Sequence, residues 1–126
     1  MVEPGRGELI LRTVAMPADT NTSGDIFGGW VLSQMDQAGG VIAAERARGR
    51  VATVAVNAMQ FISPVKVGDV LGVYGEVQKV GRTSMTIRLE AWVRRGMIGD
   101  HEKVTEAVFT LVALDAQGRP RPVPEA

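Results

Sequence analysis

The sequence predicts an α+β fold in which a curved antiparallel sheet of about five strands wraps one long central helix. Residues 27–48 repeat apolar side chains at helical spacing. Four later segments are rich in valine or alternate apolar and polar residues, and short turn-rich stretches join them. Because short connections favour antiparallel neighbours, these segments are expected to form one antiparallel sheet.

The length and composition indicate one globular domain. A chain of 126 residues, 45% of them hydrophobic and 22% charged, can form two packed layers and is unlike a disordered protein. Residues 1–126 are predicted to form a single domain, with the proline-rich residues 117–126 as an irregular tail. No segment has the long apolar run of a membrane span or a signal peptide, so a cytoplasmic protein without membrane contact is expected.

The composition also argues against several functional classes. Fourteen basic and fourteen acidic residues cancel, so no overall field favours nucleic acid or an anionic membrane. The absence of cysteine excludes disulfides, a thiol nucleophile and a cysteine-based zinc site. His101 is the single histidine, which excludes histidine-rich metal centres and disfavours a Ser-His-Asp triad.

The first half of the chain predicts a strand, a turn and the helix. Residues 8–15 are strand-like, and residues 16–25 are rich in turn formers. The helix is expected to end at Gly49 and to be capped at its start by Asp25 or Ser23. Its core-facing stripe is expected to be Val31, Met35, Ala38 and Ile42.

The second half predicts four strands, at residues 51–62, 70–80, 83–95 and 103–114. The third of these alternates most clearly between apolar and polar residues. One of its faces is expected to consist of Thr83, Met85, Ile87, Leu89, Ala91 and Val93.

Glycines surround the predicted start of the helix, at Gly24, Gly28 and Gly29. The first N–H groups of a helix are unpaired and carry the positive end of its dipole. A Gly-Gly pair in the first turn would leave these groups uncovered for an oxygen that gains negative charge. The alternative is a tight turn that uses glycine only for its backbone freedom.

Asp36 lies well inside the predicted helix, away from the end that acids favour. Helical geometry places it on a flank with Leu32 and with small residues, namely Gly39, Ala43 and Ala47. Small residues are expected where a backbone, a helix or a ligand packs closely, and an unpartnered buried carboxylate would be costly there. Asp36 is therefore expected to bond to a neighbouring group or to take part in chemistry, with a solvated or structural aspartate as the alternative.

A basic hairpin is a candidate phosphate site. Lys66, Lys79 and Arg88 lie around the predicted strands, and Arg82 follows Gly81 in a short connection. Two hydroxyl residues, Thr83 and Ser84, come next. Such a group could hold a phosphate, although a solvated hairpin tip is the better explanation of these residues taken alone.

Two motifs are the most diagnostic part of the chain: GDIFGGW at residues 24–30 and SQMD at residues 33–36. With the surrounding residues they strongly resemble the bacterial YciA-type acyl-CoA thioesterases of the hotdog-fold superfamily. The loop at residues 95–103 is shorter than expected for that family. The likeness covers residues 12–40, 49–71, 79–85, 90–93 and 104–115.

The resemblance implies a hotdog fold, a long helix wrapped by an antiparallel sheet. It implies a dimer with a continuous sheet, three dimers in a hexamer, and active sites at the dimer interface. It also implies hydrolysis of acyl-CoA thioesters to the free acid and CoA, without a metal or an organic cofactor.

The resemblance also assigns residues to roles. Asp36 is the expected catalytic carboxylate, reaching across the dimer interface, and the N–H groups of Gly28 and Gly29 are the expected oxyanion donors. Asp25 is expected near the thioester, and Thr53 is expected as a partner from the other subunit. The residues expected to contact the substrate or its CoA moiety are Arg82, Thr83, Ser84, Asn21 and Phe27.

Alternatives remain at this point. Asp36 could act as a general base on water or as a nucleophile that forms a mixed anhydride. A non-catalytic acyl-CoA sensor on the same fold would have no need of that carboxylate. A hydratase would need a His–Asp pair. A purely structural alternative is that the glycines and Asp36 serve to tighten a helix–helix contact between subunits.

Overall fold

One antiparallel sheet of five strands packs against one long helix, as the sequence predicts. The computed structural model describes residues 7–57, 59–96 and 98–126. A 3-10 turn at Pro17–Asp19 precedes the helix. The helix contacts every strand. The elements are β1 (Glu8–Val14), α1 (Gly28–Ala47), β2 (Val51–Val56), β3 (Val70–Val80), β4 (Ser84–Arg94) and β5 (His101–Ala113).

The strand order across the sheet is β1-β3-β4-β5-β2. Every neighbouring pair in this order is antiparallel. Strand β2 therefore lies at one edge of the sheet and β1 at the other. Within the described part of the chain, no helix is both long enough and apolar enough to cross a membrane.

The hydrophobic core lies between α1 and the inner face of the sheet. The helical stripe is confirmed, because Val31, Met35 and Ala38 are buried and Ile42 packs against them. The predicted inner face of β4 is also confirmed, since its members from Met85 to Val93 are fully buried. Full burial of one aliphatic side chain stabilises a fold by about 1.5–3 kcal/mol, so this stripe and this face hold the helix on the sheet.

Strand β2 is shorter than predicted, because it ends at Val56 and the following residues leave the ladder. The N–H of Asn57 still bonds to Val108 O, and the N–H of Ile62 bonds to Val104 O. From Asn57 to Ile62 the chain advances five residues, whereas the matching stretch of β5, from Val108 to Val104, advances only four. An antiparallel ladder advances one residue for one, so the register against β5 shifts by one residue between Asn57 and Ile62.

The predicted helix ends are also corrected. Phe27 occupies the position before the helix, and neither Asp25 nor Ser23 caps it with a side chain. At the other end Arg48 takes the left-handed conformation with φ 55°, one residue before the predicted Gly49. Gly49 still takes part in the helix end, because its N–H bonds to Ala44 O at 3.1 Å. A Cβ at Gly49 would also lie 2.8 Å from the guanidinium of Arg121.

The final residues, 115–126, contain no helix or strand and fold back onto their own chain. The N–H of Val123 bonds to Arg82 O at 2.8 Å, which ties the tail to the β3–β4 hairpin. The Arg121 side chain donates to Ala47 O at 2.8 Å and to Leu114 O at 2.9 Å. The tail thus supplies a cation and donors to the carboxyl end of α1, where helix carbonyls are unpaired.

A glycine sets the distance between the helix and the sheet. A Cβ at Gly75 would lie 2.5 Å from Leu89 Cδ2 and 2.8 Å from Ile42 Cδ1. We expect Gly75→Ala to lower the free energy of unfolding by about 1–3 kcal/mol through overpacking. Chemical denaturation at fixed protein concentration measures this change.

Gly40→Ala is the matched control, because no atom of the described residues lies within 4 Å of its ideal Cβ. Alanine in a helix interior should raise the free energy of unfolding by about 0.5–1 kcal/mol. Equal stability of Gly75→Ala and the unsubstituted protein would contradict the packing argument.

Candidate functional site

Asp36 lines an open cleft between α1 and the β2 edge of the sheet. Its carboxylate accepts a hydrogen bond from Thr53 Oγ1 at 2.6 Å. Asp36 itself is exposed in the single chain, so solvent or a substrate can reach its second oxygen. The cleft has a volume of about 310 Å³ and is lined by Gly29, Leu32, Ser33, Asp36, Thr53, Val56 and Phe109.

The Thr53 contact corrects one expectation from the sequence. Thr53 was expected to reach Asp36 from another subunit, but the Thr53 of the same chain makes the bond. Thr53 lies in β2, directly across from Leu111 of β5. A short hydrogen bond to a β-branched side chain on a strand holds the carboxylate in one orientation.

The small-residue flank of the helix also has a different role from the one its pattern first indicates. Gly39, Ala43 and Ala47 are buried under the chain's own sheet. A Cβ at Gly39 would lie 3.2 Å from Leu89 Cδ1. The flank therefore serves helix–sheet packing in its second half, and only Leu32 and Asp36 remain exposed.

The start of α1 leaves backbone donors uncovered. Trp30 and Val31 both direct their N–H groups to Phe27 O. No residue in the described ranges accepts a hydrogen bond from the N–H of Gly28 or Gly29. These groups stand at the positive end of the helix dipole, where an anionic oxygen is stabilised.

The two glycines face different surroundings. Nothing lies within 4 Å of an ideal Cβ at Gly29, whereas a Cβ at Gly28 would lie 3.2 Å from the Phe61 ring. Gly28 therefore belongs to a second cleft of about 340 Å³, on the other side of the first helical turn. Its lining is mostly apolar: Ile26, Gly28, Val31 and residues 61–65.

The spacing of Gly29 and Asp36 suits chemistry at a carbonyl group. Seven residues of helix advance about 10 Å and return to nearly the same face. Within this distance along the helix, a substrate carbonyl oxygen would fit at the helix start and a water molecule would fit beside Asp36. The cleft can therefore place an oxyanion donor and a carboxylate on opposite sides of one reacting carbon.

The loop before the helix uses two of the predicted site residues for its own structure. Asn21 Oδ1 accepts the N–H of Ser23 at 2.9 Å and that of Asp25 at 3.1 Å. The Asp25 carboxylate forms an ion pair with Lys66, and both side chains are about half exposed. An exposed pair of this kind contributes little stability, so Asp25 remains accessible to a ligand.

Phe27 and Phe61 add apolar surface around the helix start, where about half of each residue is exposed. The sequence indicates Phe27 through its motif, but it does not indicate Phe61, which it assigns to a continuous strand. An aromatic residue just before Ser63-Pro64 is the signal that could have marked the end of that strand.

The hairpin of Arg82, Thr83 and Ser84 lies at the same end of the sheet as Thr53. The cross-strand row of Ser84, Val112 and Ala52 spans two strand spacings, or about 10 Å. The backbone of the hairpin is fixed, because Thr83 O accepts the N–H of Ala113 at 2.9 Å. The Arg82 side chain is left exposed.

Strand β2 has a neighbour on one side only, since β5 precedes it at the end of the strand order. Apolar residues are exposed around this edge: Leu32, Val54, Val56, Phe61 and Ile62. An edge strand with exposed apolar side chains is a surface on which another chain can pair. Among the described residues, no group of three or more His, Cys, Asp or Glu could hold a metal ion.

Comparison with known proteins finds close relatives across the chain. A model of the thioesterase superfamily matches residues 23–99. The Salmonella typhimurium acyl-CoA thioester hydrolase YciA is 54% identical over 122 residues, which cover 94% of this chain and 92% of the relative.

Two solved structures have the same architecture. A hexameric thioesterase from Yersinia pestis is 53% identical with a TM-score of 0.92, covering 97% of this chain and 99% of that one. A hexameric hotdog fold thioesterase of Campylobacter jejuni is 39% identical with a TM-score of 0.89, covering 94% and 91% of the two chains.

We expect Asn21 to act by holding its loop rather than by direct contact with a ligand. Asn21→Ala should destabilise the loop by about 1 kcal/mol, because two backbone donors lose their acceptor. Hydrogen exchange of the Ser23 and Asp25 N–H groups should then accelerate several-fold. Asn21→Asp keeps the acceptor oxygen and should preserve protection, whereas unchanged exchange in Asn21→Ala would contradict this role.

Proposed function

The chain belongs to the thioesterase superfamily and to its hotdog-fold acyl-CoA thioester hydrolases, and from this premise we propose that it hydrolyses acyl-CoA to the free acid and CoA. One observation carries the proposal. The Asp36 carboxylate, fixed by Thr53, lines the same cleft as Gly29 at the uncovered start of α1. A carboxylate and an oxyanion donor together can carry out hydrolysis of a thioester.

The helix start supplies electrostatic stabilisation. The thioester carbonyl oxygen lies against the N–H groups of Gly28 and Gly29, where it gains charge as the carbonyl carbon becomes tetrahedral. Removing one such donor costs other hydrolases about 10²–10³ in turnover. Glycine at these positions keeps the approach open for the acyl group and the thiol arm.

Asp36 supplies the second function by one of two routes. As a general base it takes a proton from water, the hydroxide oxygen bonds to the carbonyl carbon, and the carbon–sulfur bond breaks to release CoA thiolate, which takes up the proton. As a nucleophile it displaces the thiolate to form a mixed anhydride, which water then cleaves. A single turnover in ¹⁸O-labelled water separates them, because only the anhydride route can leave label in the Asp36 carboxylate.

Assembly of several copies completes the site in this proposal. The open β2 edge and its exposed apolar residues support pairing of two chains into one continuous sheet. The partner would cover the Asp36 cleft and exclude water from the reacting groups, which strengthens the electrostatic interactions there. Three such pairs would form a hexamer, the assembly of the relatives from Yersinia pestis and Campylobacter jejuni.

Replacement of the carboxylate tests the catalytic assignment. Asp36→Asn should leave a folded oligomer that binds CoA but lose about 10²–10⁴ of its turnover number, because the amide cannot accept a proton or form an anhydride. Thiol release from acyl-CoAs of graded chain length measures this loss. Near-normal turnover of Asp36→Asn would overturn the mechanism, and acyl-CoA binding without turnover by the unsubstituted protein would favour the sensor alternative.

Thr53 provides a matched pair of variants within the same experiment. Thr53→Val removes the donor to Asp36 and should lower the turnover number about tenfold. Thr53→Ser keeps the hydroxyl and should stay close to the unsubstituted protein.

The hairpin is proposed to bind the phosphates of CoA through Arg82, with the Thr83 and Ser84 hydroxyls beside it. Arg82→Ala should raise KM for acyl-CoA about tenfold, because a charge-assisted hydrogen bond is lost. It should not change KM for an acyl-pantetheine substrate, which lacks the nucleotide. Equal effects on both substrates would place Arg82 outside the CoA-phosphate site.

A further inference from the structure

A small pocket opens on the outer face of the sheet, on the side away from α1. Its volume is about 170 Å³, and it is lined by Arg12, Val70, Gly72, Tyr74, Trp92, Arg94 and His101. Along β3, Leu71 and Val73 belong to the core under the helix. Side chains alternate along a strand, so Val70, Gly72 and Tyr74 face the other way. The pocket is therefore separate from the Asp36 cleft.

A glycine lies in the middle of the pocket's lining, within a row of large side chains. Gly72 of β3 pairs with Arg12 of β1 on one side and with Trp92 of β4 on the other. Tyr74 and Leu9 lie over the glycine, because a Cβ at Gly72 would lie 3.2 Å from the Tyr74 ring and 3.4 Å from Leu9 Cδ1. The absence of a side chain at Gly72 therefore lets these two residues pack closely beside the pocket.

The next cross-strand row contributes the side chains of Arg94 and His101 to the rim of the pocket. Val70 pairs with Arg94, and Arg94 pairs with His101. Arg94 Nη2 lies 3.3 Å from His101 Nε2. The Nε of Arg94 is buried, and no described residue forms a hydrogen bond with it. A buried guanidinium donor is costly to leave unpaired, so this atom indicates an acceptor that the single chain does not supply.

The charge around the pocket is unbalanced. Neither Arg12 nor Arg94 forms an ion pair with a carboxylate of the described residues. The network beside the pocket is balanced internally, because two cations meet two carboxylates: Arg88, Lys103, Glu90 and Glu106.

Both carboxylates of that network are held by its cations. The ammonium of Lys103, followed by Arg88, lowers the pKa of the Glu106 carboxyl. Glu90 also accepts the indole N–H of Trp92 at 3.1 Å, which fixes the ring that walls the pocket. Within the described ranges, the network thus leaves the two arginines of the pocket without a carboxylate partner.

We propose that this outer-face pocket binds one small oxyanion, a phosphate or carboxylate group, between Arg12 and Arg94. The guanidinium groups of Arg12 and Arg94 both line the pocket and can pair with such a group, and the pocket volume has room for it. Two sources share this chemistry: a free ion in solution, or an acidic side chain of another copy of the chain. A volume of this size admits the anionic group and excludes a whole nucleotide.

Tryptophan labelling gives a local readout of binding. The chain has two tryptophans, Trp92 in the wall of the pocket and Trp30 at the start of α1. Protein labelled with 5-fluorotryptophan should give two ¹⁹F signals. Titration with inorganic phosphate or acetate, against chloride at equal ionic strength, should shift the Trp92 signal saturably and leave the Trp30 signal in place.

Three variants identify the groups responsible. Arg94→Leu should raise the half-saturating phosphate concentration at least about tenfold. Gly72→Ala would place a methyl group 3.2 Å from the Tyr74 ring and 3.4 Å from Leu9 Cδ1, so it should reshape the pocket without removing a charge and weaken binding similarly. It guards against a folding failure of the arginine variant. Arg50→Leu removes an exposed arginine outside the pocket and should behave like the unsubstituted protein.

The molecular mass of the assembly in solution, measured for each variant, distinguishes a free anion from an acidic side chain of another copy. A phosphate-dependent Trp92 shift that Arg94→Leu and Gly72→Ala abolish supports a free anion. No phosphate effect, together with dissociation of the assembly in Arg94→Leu but not in Arg50→Leu, supports an acidic side chain of a neighbouring copy. No phosphate effect and an unchanged assembly in all variants would overturn the proposal.

Discussion

The close approach of helix α1 to the sheet controls where every candidate catalytic group lies. Gly39 on the helix and Gly75 on β3 both face Leu89, and a side chain at either position would meet it. With the helix at this depth, the face that carries Gly29 and Asp36 is directed at the β2 edge. Packing in the core thus positions a carboxylate that itself contributes nothing to the core.

The second constraint is the open edge of the sheet. Strand β2 ends at Val56, and Phe61 and Ile62 further along the chain are exposed near the helix start. One chain therefore presents half of a site: an oriented carboxylate, uncovered N–H groups and two shallow clefts. Pairing along the same edge would hide the apolar residues and enclose those groups together, so assembly and catalysis would depend on one surface.

The two faces of the sheet separate two kinds of chemistry. The inner face is apolar and holds the helix, whereas the outer face carries paired charges and the pocket of Arg12 and Arg94. Gly72 and Gly75 lie three residues apart on β3 and point to opposite faces. The first lies under Tyr74 and Leu9 at the outer-face pocket, and the second lets the helix approach.

The sequence by itself determined the elements of the fold, because the periods of 3.6 and 2 are local properties that survive packing. It also indicated Asp36 and the glycine pair, since a carboxylate and bare N–H groups on one helix follow from spacing alone. Three contacts became clear only from the tertiary structure. Thr53 of the same chain holds Asp36, and Asp25 pairs with Lys66 instead of capping the helix. The small-residue flank packs on the chain's own sheet. These contacts join residues far apart in the chain, and their geometry depends on strand register and helix depth, which no local pattern encodes.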